Sequence, residues 1–266
     1  MFASIASLAL HAALAAQTAP AHAADAAAPV SVPEEITLNY SGSVWVLPVA
    51  EIAVNAIYPD GTYSASAQFE SAGLLRWFDD TNIEAGVTGY RIGSSLQPYR
   101  YSHVNHASNK GRVVGIDFPE AVATPDVQPP FGSMGEPPAD DEERAGALDP
   151  ISAMLGLTLG MPVDTPGVCS GRLPVFDGKA RYDLRFEQAG TERVRTRAWS
   201  GDALVCEAYL EPISGYDPGD RPSEEETRRP VVIYLADYDG IYVPVRFRAN
   251  TQIGSINIQA TRISVR

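Results

Sequence analysis

The residues whose types could support chemistry are few. His103 and His106 sit in a stretch of alternating polarity. On a strand, a spacing of three puts two side chains on opposite faces, so joint metal ligation would need a bulge or turn. The chain has no Gly-x-Ser-x-Gly elbow and no His-Glu-x-x-His pair, the local signatures of a strained nucleophile and of a zinc hydrolase. A serine triad assembles in space and could still recruit either histidine, but no residue stands out as catalytic. The carboxylates gather in two Pro-rich stretches. They read as a solvated or calcium-touching surface rather than an acid/base pair, and their densest run, Asp140-Asp141-Glu142-Glu143, lacks the glycine and spacing of an EF-hand loop. No metal and no cofactor are expected.

Arginine offers the most pointed polar feature. Arg181, Arg185, Arg193, Arg195 and Arg197 fall at alternating positions around Gly190, where a hairpin would let them project from one side of two adjacent strands. Guanidinium matches carboxylate and phosphate through paired hydrogen bonds, so this reversal of sign could hold an anionic headgroup or an acidic partner. The plainer reading is a solvated outer face neutralised by Asp183, Glu187 and Glu192.

The 266 residues carry 33 Asp and Glu against 20 Lys and Arg, a formal charge of −13. That balance argues against nucleic acid and against an anionic membrane surface, both of which select clustered positive charge. Ile5–Ala16 is an apolar run too short to span a bilayer, and Ala-x-Ala pairs follow at Ala19/Ala21 and Ala21/Ala23. Residues 1–23 therefore read as a secretory signal peptide, although no Lys or Arg precedes Ile5. No later stretch is long and apolar enough for a membrane helix. The mature protein is expected to be soluble in an exported, oxidising space. There the two cysteines, Cys169 and Cys206, read as one disulfide, with two buried thiols as the alternative.

An Ala/Pro linker over residues 24–33 precedes a single β-rich domain over 34–266. Ile36, Leu38 and Tyr40 alternate with Thr37, Asn39 and Ser41, and Pro59-Asp60-Gly61 separates two strands as a hairpin turn. A short helix is expected at Gly73–Phe78, and strands at Tyr99–His106 and Arg112–Phe118. Residues 119–142, with their prolines and acids, read as an exposed loop that cannot form a ladder, and 217–230 as a second such loop. Asp149 before Pro150 is an N-cap with proline at the first helical position, and Ile151, Met154, Leu155 and Leu157 supply a helical face. Asp239-Gly240 turns another hairpin. Gly254–Arg266 closes the chain as a strand whose apolar phase shifts between Ile258 and Ile263, the sign of a bulge or a strong twist. Trp45, Trp77, Tyr99 and Tyr101 could line a cavity but read more simply as core. Many strands with one or two short helices predict a mainly β fold, a large curved antiparallel sheet or incomplete β-barrel.

Several of these segments also resemble domain-of-unknown-function family 3108: Asp149-Pro150-Ile151-Ser152-Ala153-Met154-Leu155, Val175-Phe176-Asp177-Gly178-Lys179-Ala180-Arg181-Tyr182, Cys206 with Gly215-Tyr216, and Val243-Pro244-Val245-Arg246. The likeness covers roughly Ile36 to Arg266. It implies a periplasmic protein whose curved sheet is similar to those of lipoprotein carriers and envelope-stress regulators, which hold acyl chains or peptides in a concave face. No catalytic role comes with it.

The expected function is a non-enzymatic periplasmic protein that binds an apolar or amphipathic ligand, or a partner segment, in cell-envelope maintenance. The alternatives are an envelope interaction protein with a filled barrel and a hydrolase of an envelope polymer. A concave apolar cavity, a filled barrel, or a cleft pairing a histidine with Ser and Asp would distinguish the three.

Overall fold

The computed structural model describes residues 32–73, 81–106, 111–159, 167–251 and 254–266. The expected signal peptide, most of the linker, all but Gly73 of the helix at Gly73–Phe78, and Trp77 lie outside them. The described chain builds one antiparallel sheet of thirteen strands in the order β7-β6-β5-β4-β3-β2-β1-β13-β12-β11-β10-β9-β8. Its first meander comprises β1 (Glu35–Val44), β2 (Leu47–Ile57), β3 (Thr62–Ser71), β4 (Asn82–Ile92), β5 (Ser95–Asn105), β6 (Val113–Asp117) and β7 (Thr124–Gln128). The second comprises β8 (Gly171–Phe176), β9 (Arg181–Arg195), β10 (Ser200–Ser214), β11 (Val231–Tyr238), β12 (Ile241–Thr251) and β13 (Gly254–Val265). Pairing of β1 with β13 fuses the two meanders, so the first and last strands lie at the middle of the sheet. The phase shift in β13 is a bulge: Asn39 faces Arg262 while Tyr40 faces Ala260, which leaves Thr261 as the extra residue.

Alternation decides the inward face. Leu38, Val54, Ala67, Ala85, His103 and Val114 form one cross-strand row, and Ile36, Ala56, Ala65, Val87, Tyr101 and Ile116 form the next and are buried. Helix α1 (Asp141–Arg144) and helix α2 (Pro150–Thr158) lie in the connection between the meanders, and α3 (Glu224–Thr227) precedes β11. Helix α2 packs against β3, β4, β5, β8 and β12, inside the curve of the sheet. The helix is mostly apolar and most of its residues are buried, as an inner position requires, with Ser152 and Thr158 as its buried polar side chains.

The outer strands β7 and β8 do not pair with each other. Instead the chain between α1 and α2 ties them together. Ala145 bridges Val122 and Leu148 bridges Val175, and the Leu148 amide donates to the Pro174 carbonyl at 2.8 Å. This connection shields part of the β8 edge and the approach to β7, while among the described residues the outer side of β7 itself stays unpaired.

Two expectations change. Residues 119–142 do enter the ladder, because β7 pairs with β6 from Thr124 to Gln128; a terminal strand leaves one side unpaired, which tolerates Pro125 and its missing N–H. The acids there are also structural in part, since Asp140 and Glu143 form the capping box of α1 and Glu143 accepts from the Ser214 hydroxyl at 2.6 Å. The second change concerns Gly190, which does not turn a hairpin. Strand β9 runs through it at φ 94°, and the reversal comes at Thr196–Trp199. The tip of this long hairpin folds back over the outer face of the sheet: Ala198 donates to the Ala260 carbonyl at 3.3 Å, Arg246 donates to the Arg195 carbonyl at 2.7 Å, and Val194, Ala203, Val205 and Val245 are buried beneath.

A candidate ligand cavity on the concave face

Strands β9 to β12 present an apolar inner face that α2 only partly covers. Tyr182, Leu184, Phe186, Ala208, Leu210 and Ile233 form one wall of a cavity of about 570 Å³, and Ala153, Met154 and Leu157 of α2 form the other. A second chamber of about 330 Å³ lies beside it, lined by Tyr40, Ile52, Val54, Ala249, Ile256 and Ile258. Met154, Val231 and Phe247 line both and form the waist between them. Both volumes fall in the range of roughly 300–1,000 Å³ common to small-molecule sites, and apolar walls with few polar groups are typical of them. Polar groups enter only at the margins: Asp177 and Tyr216 at one end of the larger chamber, Arg229 where it meets solvent, and Arg248 at the smaller one. Arg229 is paired with Glu225.

The wall supplied by α2 is anchored by a buried polar cluster. The Asp149 carboxylate is fully buried and accepts from the Ile151 and Ser152 amides, each at 3.0 Å, and from the Ser152 hydroxyl at 2.5 Å. The Ser152 hydroxyl also meets the Tyr63 hydroxyl at 2.6 Å. Burial raises the Asp149 carboxyl from its usual value to about 6, against the lowering effect of the donors around it. Desolvation likewise raises Tyr63 and Tyr182, and pushes Tyr216 to about 12. Asp149, Ser152 and Tyr63 join β3 to the helix, whereas Tyr182 and Tyr216 line the cavity.

His103 points inward, its Nδ1 3.1 Å from the Tyr101 hydroxyl, and burial lowers its pKa. His106 lies on the outer side and pairs with Glu84 at 3.1 Å. The opposite placement follows the spacing of three. Among the described residues no three His, Cys, Asp or Glu side chains cluster as a metal site, and no helix is long and apolar enough to cross a membrane. Cys169 and Cys206 are joined as a disulfide, with Cα atoms 5.4 Å apart.

The five arginines do not share a face. Cys206 faces Gln188 and Leu204 faces Thr191, so β9 uses three residues where β10 uses two. This bulge inverts the phase of the strand, leaving Arg181 and Arg185 on one side and Arg193 and Arg195 on the other. Arg181 is buried, donating to the carbonyls of Glu143 and Tyr182 and to Asp183. Arg185 pairs with Glu187 and Glu211, and Arg193 with Asp202 at 3.4 Å. Arg197 borders an outer hollow with Glu51 and Glu70. Replacing Arg193, Arg195 and Arg197 together with Gln is expected to change stability by about 0.5 kcal/mol or less, because exposed charges away from caps and cores contribute little; urea denaturation checks this.

The cavity walls went unmarked in the sequence. Leu210, Phe247 and Ile258 each belong to an alternating strand, but alternation separates faces without saying which inward residues a helix covers. Tyr101 is buried as expected, whereas Trp45 and Tyr99 are exposed.

A family described as "Protein of unknown function (DUF3108)" matches residues 35–261. Among solved structures, the chain is similar to the beta-barrel-like protein of domain of unknown function DUF1849 from Brucella abortus, with a TM-score of 0.52, 7% identity, and coverage of 89% of this chain and 99% of that one. A putative lipoprotein from Parabacteroides distasonis aligns with a TM-score of 0.37 at 10% identity, over 89% and 97% of the two chains. No curated protein matches the chain.

Proposed function

The chain belongs to the DUF3108 family, and from that premise we propose that it is a non-enzymatic, exported binding protein whose concave cavity holds the apolar part of an amphipathic ligand in service of the cell envelope. The observation that carries this reading is the pair of joined apolar chambers lined by α2, β1, β2 and β9–β13. Unfilled apolar wall inside a curved sheet forgoes dispersion contacts and stays hydrated at a cost in stability, and a chain-like ligand restores both. Placement in the periplasm rests on the apolar segment before Ala23 and on the disulfide; a bonded cysteine pair is at home in an oxidising compartment. A non-enzymatic role fits the polar inventory, in which the buried Asp149 and Ser152 are committed to the helix cap and to Tyr63.

The test has two arms. Native mass spectrometry of the protein purified from its own periplasm should show a retained small molecule released on denaturation. A fluorescent fatty-acid probe should bind the delipidated protein, and Met154→Trp, which fills the waist between the chambers, should weaken that binding at least about tenfold, a loss of about 1.4 kcal/mol. The variant should unfold at the wild-type temperature within a few degrees. Absence of any retained molecule together with no probe binding would sink the proposal.

A further inference from the structure

We propose that the tip of the β1–β2 hairpin, Trp45-Val46-Leu47, docks the protein on the neutral interface of a lipid bilayer. These consecutive residues are 69%, 89% and 52% exposed, whereas the other exposed large apolar residues among those described, such as Ile92, Tyr99 and Val231, do not follow one another in sequence. Val44 pairs with Leu47, so Trp45-Val46 is a two-residue turn. Such turns are ordinarily built from Asn and Gly, which accept left-handed backbone freely. Trp45 instead adopts φ 54°, a conformation that strains a bulky residue. Its indole lies against Gly254, where an added Cβ would approach Nε1 to 2.4 Å. A turn needed only to reverse the chain would be better served by Gly, and although one edge of the indole rests on Gly254, Trp45 is 69% exposed and free to meet a partner.

Charge identifies the occupant. The protein carries −13 overall, yet the two strand ends paired at the tip, within residues 40–50 and 249–261, contain no Asp, Glu, Lys or Arg; the nearest charges in sequence on the neighbouring strand connection, which leaves Gly73 beside Pro48, are Arg76, Asp79 and Asp80. A stable protein interface needs about 800 Å² on each partner and a polar rim, which one uncharged tip of three side chains does not supply. A bilayer interface accepts them well, with Trp at the headgroup level and aliphatic side chains below it. The acidic remainder of the protein makes that surface neutral rather than anionic. Location adds a consequence. Val44 pairs with Ile256, and the Trp45 amide donates to the Ser255 carbonyl at 2.9 Å, while Ile256 and Ile258 line the smaller chamber. Docking by this tip therefore brings that chamber's margin against lipid, whatever the cavity holds.

The experiment uses the full protein and vesicles of phosphatidylcholine, alone and with phosphatidylglycerol. Since both cysteines are bonded, Val46→Cys gives a single labelling site for an environment-sensitive fluorophore. The label should brighten and shift to the blue with phosphatidylcholine vesicles. Wild type should float with them, and Val46→Asp should lower the partition coefficient at least about tenfold at an unchanged melting temperature; adding phosphatidylglycerol should weaken binding. A silent label, equal flotation of wild type and Val46→Asp, or tip-dependent dimers that ignore vesicles would overturn the proposal. Probe binding in the cavity is read separately, so either proposal can fail without the other.

Discussion

Asp149→Ala is expected to lower stability by about 3–5 kcal/mol and to loosen the cavity wall formed by α2. The carboxylate satisfies two amides and one hydroxyl inside the protein, and nothing in the Ala variant replaces it. Losing an N-cap costs about 1–2 kcal/mol, and each buried donor left without an acceptor costs about 1–3 kcal/mol; these losses overlap and do not add in full. Against a total of about 5–15 kcal/mol for a typical domain, such a change threatens folding at 37 °C. Asp149→Asn keeps an acceptor for the two amides and should cost less. Differential scanning calorimetry of wild type and both variants measures the ordering, and equal melting temperatures for wild type and Asp149→Ala would show that the cap does not hold the helix.

The same carboxyl gives a pH dependence with a definite sign. Its native value is raised to about 6, whereas in the unfolded chain an Asp titrates near 4. The native state therefore binds the proton more tightly, and the stability this group contributes is full below about pH 4 and is lost as pH rises through about 6, a change on the order of 3 kcal/mol. Other carboxylates titrate in the same window, so the measurement is the stability difference between wild type and Asp149→Asn. That difference should move in favour of the Asn variant as pH rises from 4 to 6.5 and stay level above. A constant difference would mean that the carboxyl titrates as it does in water.

Removing the disulfide should be the second large effect. Cys169 lies just before β8 and Cys206 lies in β10, so the bond ties the sheet's terminal strand across β9. It closes a loop with a sequence separation of 37, and in the chain-entropy description such a crosslink stabilises by about 3–4 kcal/mol. Both sulfurs lie in the apolar cluster with Leu173, Phe186 and Ile233, so the double Ala variant loses packing as well. Its urea midpoint should fall by about 1 M or more, with β8 exchanging its amides first. Alkylation of both thiols under non-reducing, denaturing conditions would show that the bond is not formed in the protein as isolated.

Much of the fold was legible because it rests on local chemistry. Two-residue alternation located the strands, Asp149-Pro150 marked the start of α2, Asp239-Gly240 marked a turn, and the phase shift between Ile258 and Ile263 marked the bulge at Thr261. Each signal lies within a few residues of its effect. The alternation around Gly190 was equally clear and misled, since a glycine at φ 94° serves a turn and a bulge alike. Only the register of β9 against β10 separates the two, and with it the arginines divide between faces. The cavity is decided still further from the sequence. Tyr40, Met154, Leu184 and Phe247 meet because the first and last strands pair at the middle of the sheet and the connection between the meanders tucks α2 inside the curve. The sequence by itself thus determined which residues are strand, cap and turn, because those choices depend on backbone preference and side-chain period. Tertiary structure alone decided which inward residues remain uncovered and that Trp45 stands outside the core, because burial is set by what packs against a face and not by the face's own composition.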